Sequence, residues 1–461
     1  MKKQIVTALM LTLSLCLSAQ NVSVITGCWK EKPVNADKIG LYQIENCSLV
    51  ELGSSRIDVD GSFVLAFAPK KEGFYAMAQN PQQSMYRYIF YFKPGDNLSF
   101  EINGDDYTLT GKNTPENLEI AKWQDLVYPI ESKAIYFFRK NSTYKDFFPT
   151  LADLLPQIKA YPKAKTGNKL FDAAFEEYKK VNLYEIALTF TNTPRSAHPE
   201  AKDYPNFYRE LSIADISATP FLLKYPGGIH LFTSCKNVQY RADTSLDLET
   251  CLKLQRESFD VALGEIVDNT LKGEYMLANT RTFQSYPGLM DYKAKYGKYL
   301  ITEDQQKRFR DALAKVDKNE AGNLATNFKF PDINGKEVAL ADFKGKLVYI
   351  DIWATWCAPC KAEIPFLKEL EEQYRDKNIE FVSVSIDKEK DKQKWLDMVK
   401  EKELSGVQLF AGARSEDISI PYNLKGVPRF ILVGTDGKLI SGDAPRPSSK
   451  EIKVLLDTSL K

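Results

Sequence analysis

Histidine is nearly absent. Only His198 and His230 occur in 461 residues, which argues against His-rich metal centres and histidine-based nucleophilic triads. Charge asymmetry is missing too: 62 Lys and Arg stand against 61 Asp and Glu, so there is no electrostatic footprint for nucleic acid or for an anionic membrane surface. No apolar run approaches the roughly 20 residues needed to span a bilayer. What is present is ordinary globular material, 44% hydrophobic and 27% charged, without a disorder signature. At about 100 to 200 residues per domain the length suggests two to four domains. Function must therefore come from discrete sites.

Cysteine is scarce and odd in number, at seven. The first segment accounts for the odd one. Lys2 and Lys3 precede an apolar run from Ile5 to Leu17 that ends near Ala19, the three-region pattern of an export signal. Cleavage before Gln20 removes Lys2, Lys3 and Cys16, leaving 60 basic residues, 61 acidic residues and six cysteines. It also leaves no transmembrane segment, and the expected location is the periplasm or cell envelope. Ile25-Thr26-Gly27-Cys28 resembles a lipoprotein cleavage box, but it lies far beyond the apolar run, so a lipid anchor is not favoured.

Three composition patterns follow one another. Residues 20–111 alternate short apolar runs with turn residues such as Asp60-Gly61 and Pro94-Gly95-Asp96, which predicts an all-β domain of sandwich type. Residues 112–316 switch to helical periodicity, in Leu118 to Val127, Leu170 to Leu188, Leu246 to Leu271 and Gln305 to Val316. Their many aromatics, including Trp123, Tyr136, Phe137, Phe138, Phe147, Phe148, Phe207 and Tyr208, read as core. Residues 317–327 are polar and read as a linker. In 328–461, strands (Leu347 to Trp353, Ile379 to Ile386, Val407 to Phe410, Phe430 to Val433) alternate with helices (Lys361 to Arg375, Asp391 to Glu403, Ser449 to Leu456), which predicts an α/β layer.

Chemistry concentrates at the end of the first strand of that layer, in Trp353-Ala354-Thr355-Trp356-Cys357-Ala358-Pro359-Cys360-Lys361. Two cysteines three positions apart at a helix start can cycle between dithiol and disulfide. Cys357, at the helix N-terminus, faces unpaired N–H groups and the positive end of the helix dipole, which stabilise a thiolate and make it the expected nucleophile. Cys360, one turn inside, is the expected resolving thiol. Pro359 fits the first turn, where its missing donor has no helical partner. Zinc, the competing use of C-x-x-C, needs four ligands, and no second such pair or paired His occurs. Neither metal nor cofactor is expected.

The surrounding motifs carry a resemblance. Phe328-Lys329-Phe330-Pro331-Asp332, Gly335-Lys336, Gly345-Lys346, the Trp353 to Cys360 segment, Gly426-Val427-Pro428 and Asp436-Gly437-Lys438 occur in this order. Residues 324–461 thereby resemble the thioredoxin-like domain of TlpA and ResA type thiol-disulfide oxidoreductases. The β domain is similar to one found ahead of thioredoxin modules in Gram-negative envelope proteins, a likeness that carries no chemistry. The fold class implied is multidomain: an N-terminal sandwich-like all-β domain, a mainly α-helical middle region and a C-terminal α/β thioredoxin-like domain.

The resemblance also assigns residues. Asp351, six before Cys357, matches a buried carboxylate of such domains, and on an apolar strand desolvation should raise its pKa and suit it to take the Cys360 proton. Glu363 matches an acid near the resolving thiol, although Glu in a first helical turn is also a generic dipole partner. Val427-Pro428 matches the cis-proline turn facing the disulfide, and with Trp356 it is the expected substrate-binding surface. Arg429 replaces a frequent Thr, and a cation there leaves redox poise and substrate preference open.

The remaining cysteines suggest two structural disulfides in an oxidising compartment, Cys28 with Cys47 and Cys235 with Cys251; buried thiols are the alternative. The expected activity is thiol-disulfide exchange, which the resemblance implies to run reductively on protein disulfides, with recharging by a membrane thiol donor. An envelope scaffold with an auxiliary redox module and a disulfide oxidase or isomerase are the alternatives.

Overall fold

Apolar alternation builds the N-terminal sheets: in β1 (Ser23–Trp29) Ile25, Gly27 and Trp29 turn inward while Thr26 faces solvent. The structure, a computed structural model, describes residues 21–32, 36–80, 87–135, 141–283, 286–317 and 319–461. The expected export signal, residues 1–19, lies outside them, as do Tyr136, Phe137 and Phe138. The chain divides into two compact units, Met1–Tyr275 and Met276–Lys461.

In the first unit β1 is followed by β2 (Lys38–Glu45), β3 (Ser48–Arg56), β4 (Ser62–Phe67), β5 (Gly73–Ala78), β6 (Arg87–Phe92), β7 (Asn97–Asn103) and β8 (Asp106–Leu109). They form two four-stranded sheets, ordered β4-β1-β7-β8 and β3-β2-β5-β6. Ile25, Trp29, Ile39, Leu41, Phe63, Phe90, Phe100 and Ile102 share one buried core, as a sandwich requires. The Asp60-Gly61 turn needs its glycine, because Gly61 has φ +84° and an added Cβ would meet Trp29 O at 2.1 Å.

Helices α1 (Pro115–Ile135), α2 (Tyr144–Lys159), α3 (Lys169–Asn192), α4 (Leu231–Ala242) and α5 (Leu248–Glu265) complete this unit. Trp123, Phe147, Phe148 and Tyr208 are buried among them, and Phe147 stacks on Phe190 at 3.9 Å. The run Leu246 to Leu271 is not one helix. It breaks at residues 266–268, where Ser217 Oγ accepts from Val267 N (3.0 Å) and Ser217 O from Asp268 N (3.0 Å). The chain then resumes as α6 (Asn269–Asn279).

The two expected structural disulfides are not formed. Cys28 lies on β1, whereas Cys47 lies between β2 and β3 of the opposite sheet, with its Sγ donating to Leu222 O (3.1 Å). β1 and β2, consecutive in the chain, are thus not neighbours in space. Cys235 lies seven residues before the end of α4 and Cys251 three after the start of α5. Burial pushes the Cys235 thiol up to about 12.

The second unit continues with α7 (Tyr286–Tyr296), α8 (Glu303–Asp317), β9 (Lys329–Pro331), β10 (Glu337–Ala339), β11 (Leu347–Trp353), α9 (Ala358–Gln373), β12 (Ile379–Ser385), α10 (Lys392–Glu401), β13 (Val407–Phe410), β14 (Arg429–Val433), β15 (Leu439–Ser441) and α11 (Lys450–Ser459). Its five-stranded sheet has the order β13-β12-β11-β14-β15. β11 pairs parallel with β12 and antiparallel with β14. Both faces of β11 are covered: Val348, Ile350 and Ile352 pack with Val382, Val384 and Ile431, while Leu347 and Tyr349 pack with Leu367 and Leu370 of α9. This accounts for its continuous apolar run. The connection from β11 leads to one side of the sheet and β14 lies on the other, so the carboxyl end of β11 opens at a switch point, where α/β sheets place their sites.

Candidate active site

The segment after β11 is fixed by a residue far along the chain. Asp387, fully buried, accepts from Thr355 N (2.8 Å), Thr355 Oγ1 (2.8 Å) and Ser385 Oγ (2.8 Å). This seats the chain just ahead of Cys357. Cys357 is then the N-cap of α9, its Sγ accepting from Cys360 N at 3.1 Å, with Pro359 in the first turn. Cys357 and Cys360 form a disulfide with S–S 2.00 Å and Cα–Cα 5.3 Å. Both residues are 4% exposed.

Val427-Pro428 is a cis peptide at the entry to β14, and Val427 O lies 3.5 Å from Cys357 Sγ. A proline there offers no backbone N–H. Trp356, next to the N-cap cysteine, is 61% exposed, a large apolar side chain left in solvent beside the sulfurs.

Asp351 lies on the β11 face toward α9, opposite Ser383 and Phe430. Its Oδ1 is closed off from solvent and has no hydrogen-bond partner. Burial, and then the charges of Glu363 and Glu371, push its carboxyl up to about 8. A small cavity between sheet and helix is lined by both Asp351 and Cys360.

Residues 320–454 match the Redoxin family. Over 133 residues, 29% of this chain and 74% of the relative, the sequence is 34% identical to the thiol-disulfide oxidoreductase ResA of Bacillus cereus. This chain belongs to the ResA family of thiol-disulfide oxidoreductases. ResA of Bacillus subtilis is 39% identical over 69 residues, 15% of this chain and 38% of that protein. The solved thioredoxin domain of a thiol-disulfide oxidoreductase from Bacteroides vulgatus is 27% identical, covering 31% of this chain and 98% of that one, with a TM-score of 0.28.

As a member of this family the protein is a thiol-disulfide oxidoreductase with a thioredoxin-like C-terminal domain. Cys357, Cys360, Val427, Pro428 and Asp351 come together as the sequence predicts. Glu363 is held elsewhere: its two oxygens accept from Ser448 Oγ and Ser448 N at 3.0 Å each, and Arg446 Nη1 lies 3.9 Å away. It acts on Asp351 through space. Arg429 is buried, donating from Nε to Gly442 O (2.9 Å), with Nη1 3.2 Å from Asp443 Oδ1. Its guanidinium braces the turn after β15.

Two residues were missed from sequence. Asp387 is signalled only by its place at the end of the buried run Val382 to Ile386. Glu371 is signalled by spacing, since Cys360, Ile364, Leu367 and Glu371 recur at helical intervals and so share one face of α9. Among the described residues no group of three or more His, Cys, Asp and Glu side chains is placed to hold a metal ion, and no helix is long and apolar enough to cross a membrane.

Proposed function

We propose that this oxidoreductase works in the periplasm or cell envelope, reducing disulfides of envelope proteins through Cys357 and Cys360. The observation that carries this reading is the Cys357–Cys360 disulfide at the start of α9, with Val427 O of the cis-proline turn 3.5 Å from Cys357 Sγ. In the dithiol form the Cys357 thiolate attacks a substrate disulfide, forming one mixed S–S bond and releasing the first substrate sulfur as a thiolate. Cys360 gives its proton to Asp351 and attacks Cys357 Sγ. The Cys357–Cys360 bond forms, and the second substrate sulfur leaves with its electron pair. The substrate gains two electrons, which a membrane thiol donor must restore to the enzyme.

Each role has a physical basis. The helix start favours the Cys357 thiolate. Asp351, held up to about 8, is a base matched to a thiol near neutral pH. Glu363 acts through its charge, helping Asp351 retain its proton. Trp356 and the Val427 backbone offer an apolar contact and hydrogen bonding to an extended substrate segment. The export signal read at residues 1–19 supports the location.

Two measurements test the reading. Cys360→Ser should accumulate mixed disulfides with envelope proteins in cells, and Cys357→Ala should abolish both this capture and insulin reduction. The potential of the Cys357/Cys360 couple decides direction: a value near that of thioredoxin, about −270 mV, supports a reductase, whereas one near that of a strong oxidant, about −120 mV, overturns it.

A further inference from the structure

Asp351 Oδ1 is closed off from solvent and needs a route for the proton that, on the reading above, Asp351 must gain and lose in each catalytic cycle. The cavity it shares with Cys360 supplies one. Asp351 and Trp353 of β11, Cys360 and Glu371 of α9, and Ser405 line it; Glu371 is half-buried and Ser405 is exposed. Three lining residues contribute buried polar atoms with no protein partner: Asp351 Oδ1, Trp353 Nε1 and Gln408 Oε1. Buried donors and acceptors converging on one water-sized space are what ordered water satisfies.

Glu371 stands where this space meets the surface. It is three turns along α9 from Cys360 on the same face, and helical side chains lean toward the N-terminus, so its carboxyl reaches back along the cavity. Ser405 Oγ donates to it. Its burial raises its pKa, opposed by the Ser405 hydrogen bond and the Lys368 charge, so it too can hold a proton. The charges acting on Asp351 are those of Glu363 and Glu371 of α9; Lys368 lines the same cavity and acts on Glu371, and Tyr349 on the same strand feels the Asp351 charge. β12 and β13 contribute Ser383 and Gln408, which do not titrate.

We propose that Glu371 is the outer station of a proton path that links Asp351 through cavity water to solvent. The inference rests on Asp351 being the base for Cys360. In the resolving step the Cys360 S–H proton passes to Asp351, then through water to the Glu371 carboxylate and on to bulk solvent, while the electron pair moves from Cys360 to the Cys357–Cys360 bond and out with the substrate sulfur. Reduction of the disulfide draws a proton inward along the same path. Glu371 touches neither sulfur and is a positioning residue in the proton transfer.

The test uses the full chain. Oxidation of the reduced protein by glutathione disulfide is followed by tryptophan fluorescence between pH 5 and 9, with increasing imidazole as an external proton carrier. Glu371→Gln should slow the Cys360 step roughly tenfold, less than the ~100- to 10,000-fold that a directly acting acid–base group supplies. Imidazole should restore the rate, and Glu371→Asp should retain most of it. An unchanged rate in Glu371→Gln, or a loss that imidazole does not rescue, would overturn the path. Asp351→Asn separates the two readings. If it slows the step and Glu371→Gln does not, the path alone fails; if Asp351→Asn has no effect, the Asp351 role and the path fall together.

Discussion

Asp351 and Glu363 carry the same functional group, but their surroundings give them opposite behaviour. Asp351 points an unpartnered oxygen into a closed space and holds its proton up to about 8; Glu363 spends both oxygens on Ser448. The first environment was legible in the sequence, because an Asp inside Leu347 to Trp353 must be desolvated. The second was not, because Ser448 is 85 positions away. Asp387 is the sharper case, since nothing local marks it as the anchor of the Cys357 loop. Asp387→Ala would leave Thr355 N and Oγ1 buried without an acceptor, at about 1 to 3 kcal/mol for such a group. Chemical denaturation should show a loss of roughly that size or more, together with slower alkylation of Cys357, and unchanged stability would contradict the anchoring role.

At the scale of elements, strands were read more accurately than helix ends. β11 and β13 coincide with the predicted runs Leu347 to Trp353 and Val407 to Phe410, because strands covered on both faces are mostly apolar, with only Asp351 and Gln408 as polar interruptions. β8 is a four-residue strand at a sheet edge. The break after α5 was missed, since the pattern stays apolar and Ser217 imposes the break from outside. Capping residues decide several starts. Asn168 accepts from Leu170 N and Phe171 N at the head of α3, and its amide also donates to Glu72 and Glu116. Asn168→Ala should therefore lower the stability of the first unit by about 1 to 2 kcal/mol, the upper range for a helix cap. Asn168→Asp, which keeps the cap but brings an anion to two glutamates, should not fully restore it. Urea denaturation of the three proteins checks the order.

At the scale of the whole molecule, the first unit holds a buried polar cluster that the redox chemistry does not use. Arg87 of β6 pairs with Glu185 of α3 (2.5 Å), Tyr225 Oη donates to Glu185, and Gln124 donates to Glu131 within α1. Burial, reinforced by Glu185 and Asp106, pushes Glu131 up to about 7. A carboxyl raised on folding contributes stability that is complete below its unfolded value near 4.3 and is lost as pH rises through about 7. Thermal unfolding should thus show the first unit weakening from pH 5 to pH 8, by at most about 1.4 kcal/mol per pH unit, and Glu131→Gln should flatten that slope. A slope equal in both proteins would assign the pH dependence to other groups. By itself the sequence determined the succession of β, helical and α/β regions and the redox pair, because these depend on local periodicity and on two cysteines one helical turn apart. Only the tertiary structure decided what surrounds that pair and which cysteines approach one another. Sheet assignment put Cys28 and Cys47 apart, and long-range hydrogen bonds fixed Thr355 and Glu363. The closure of α9 on β11 made the space that Asp351 and Glu371 share. Such partners are set by how elements pack, and packing joins residues that no local pattern connects.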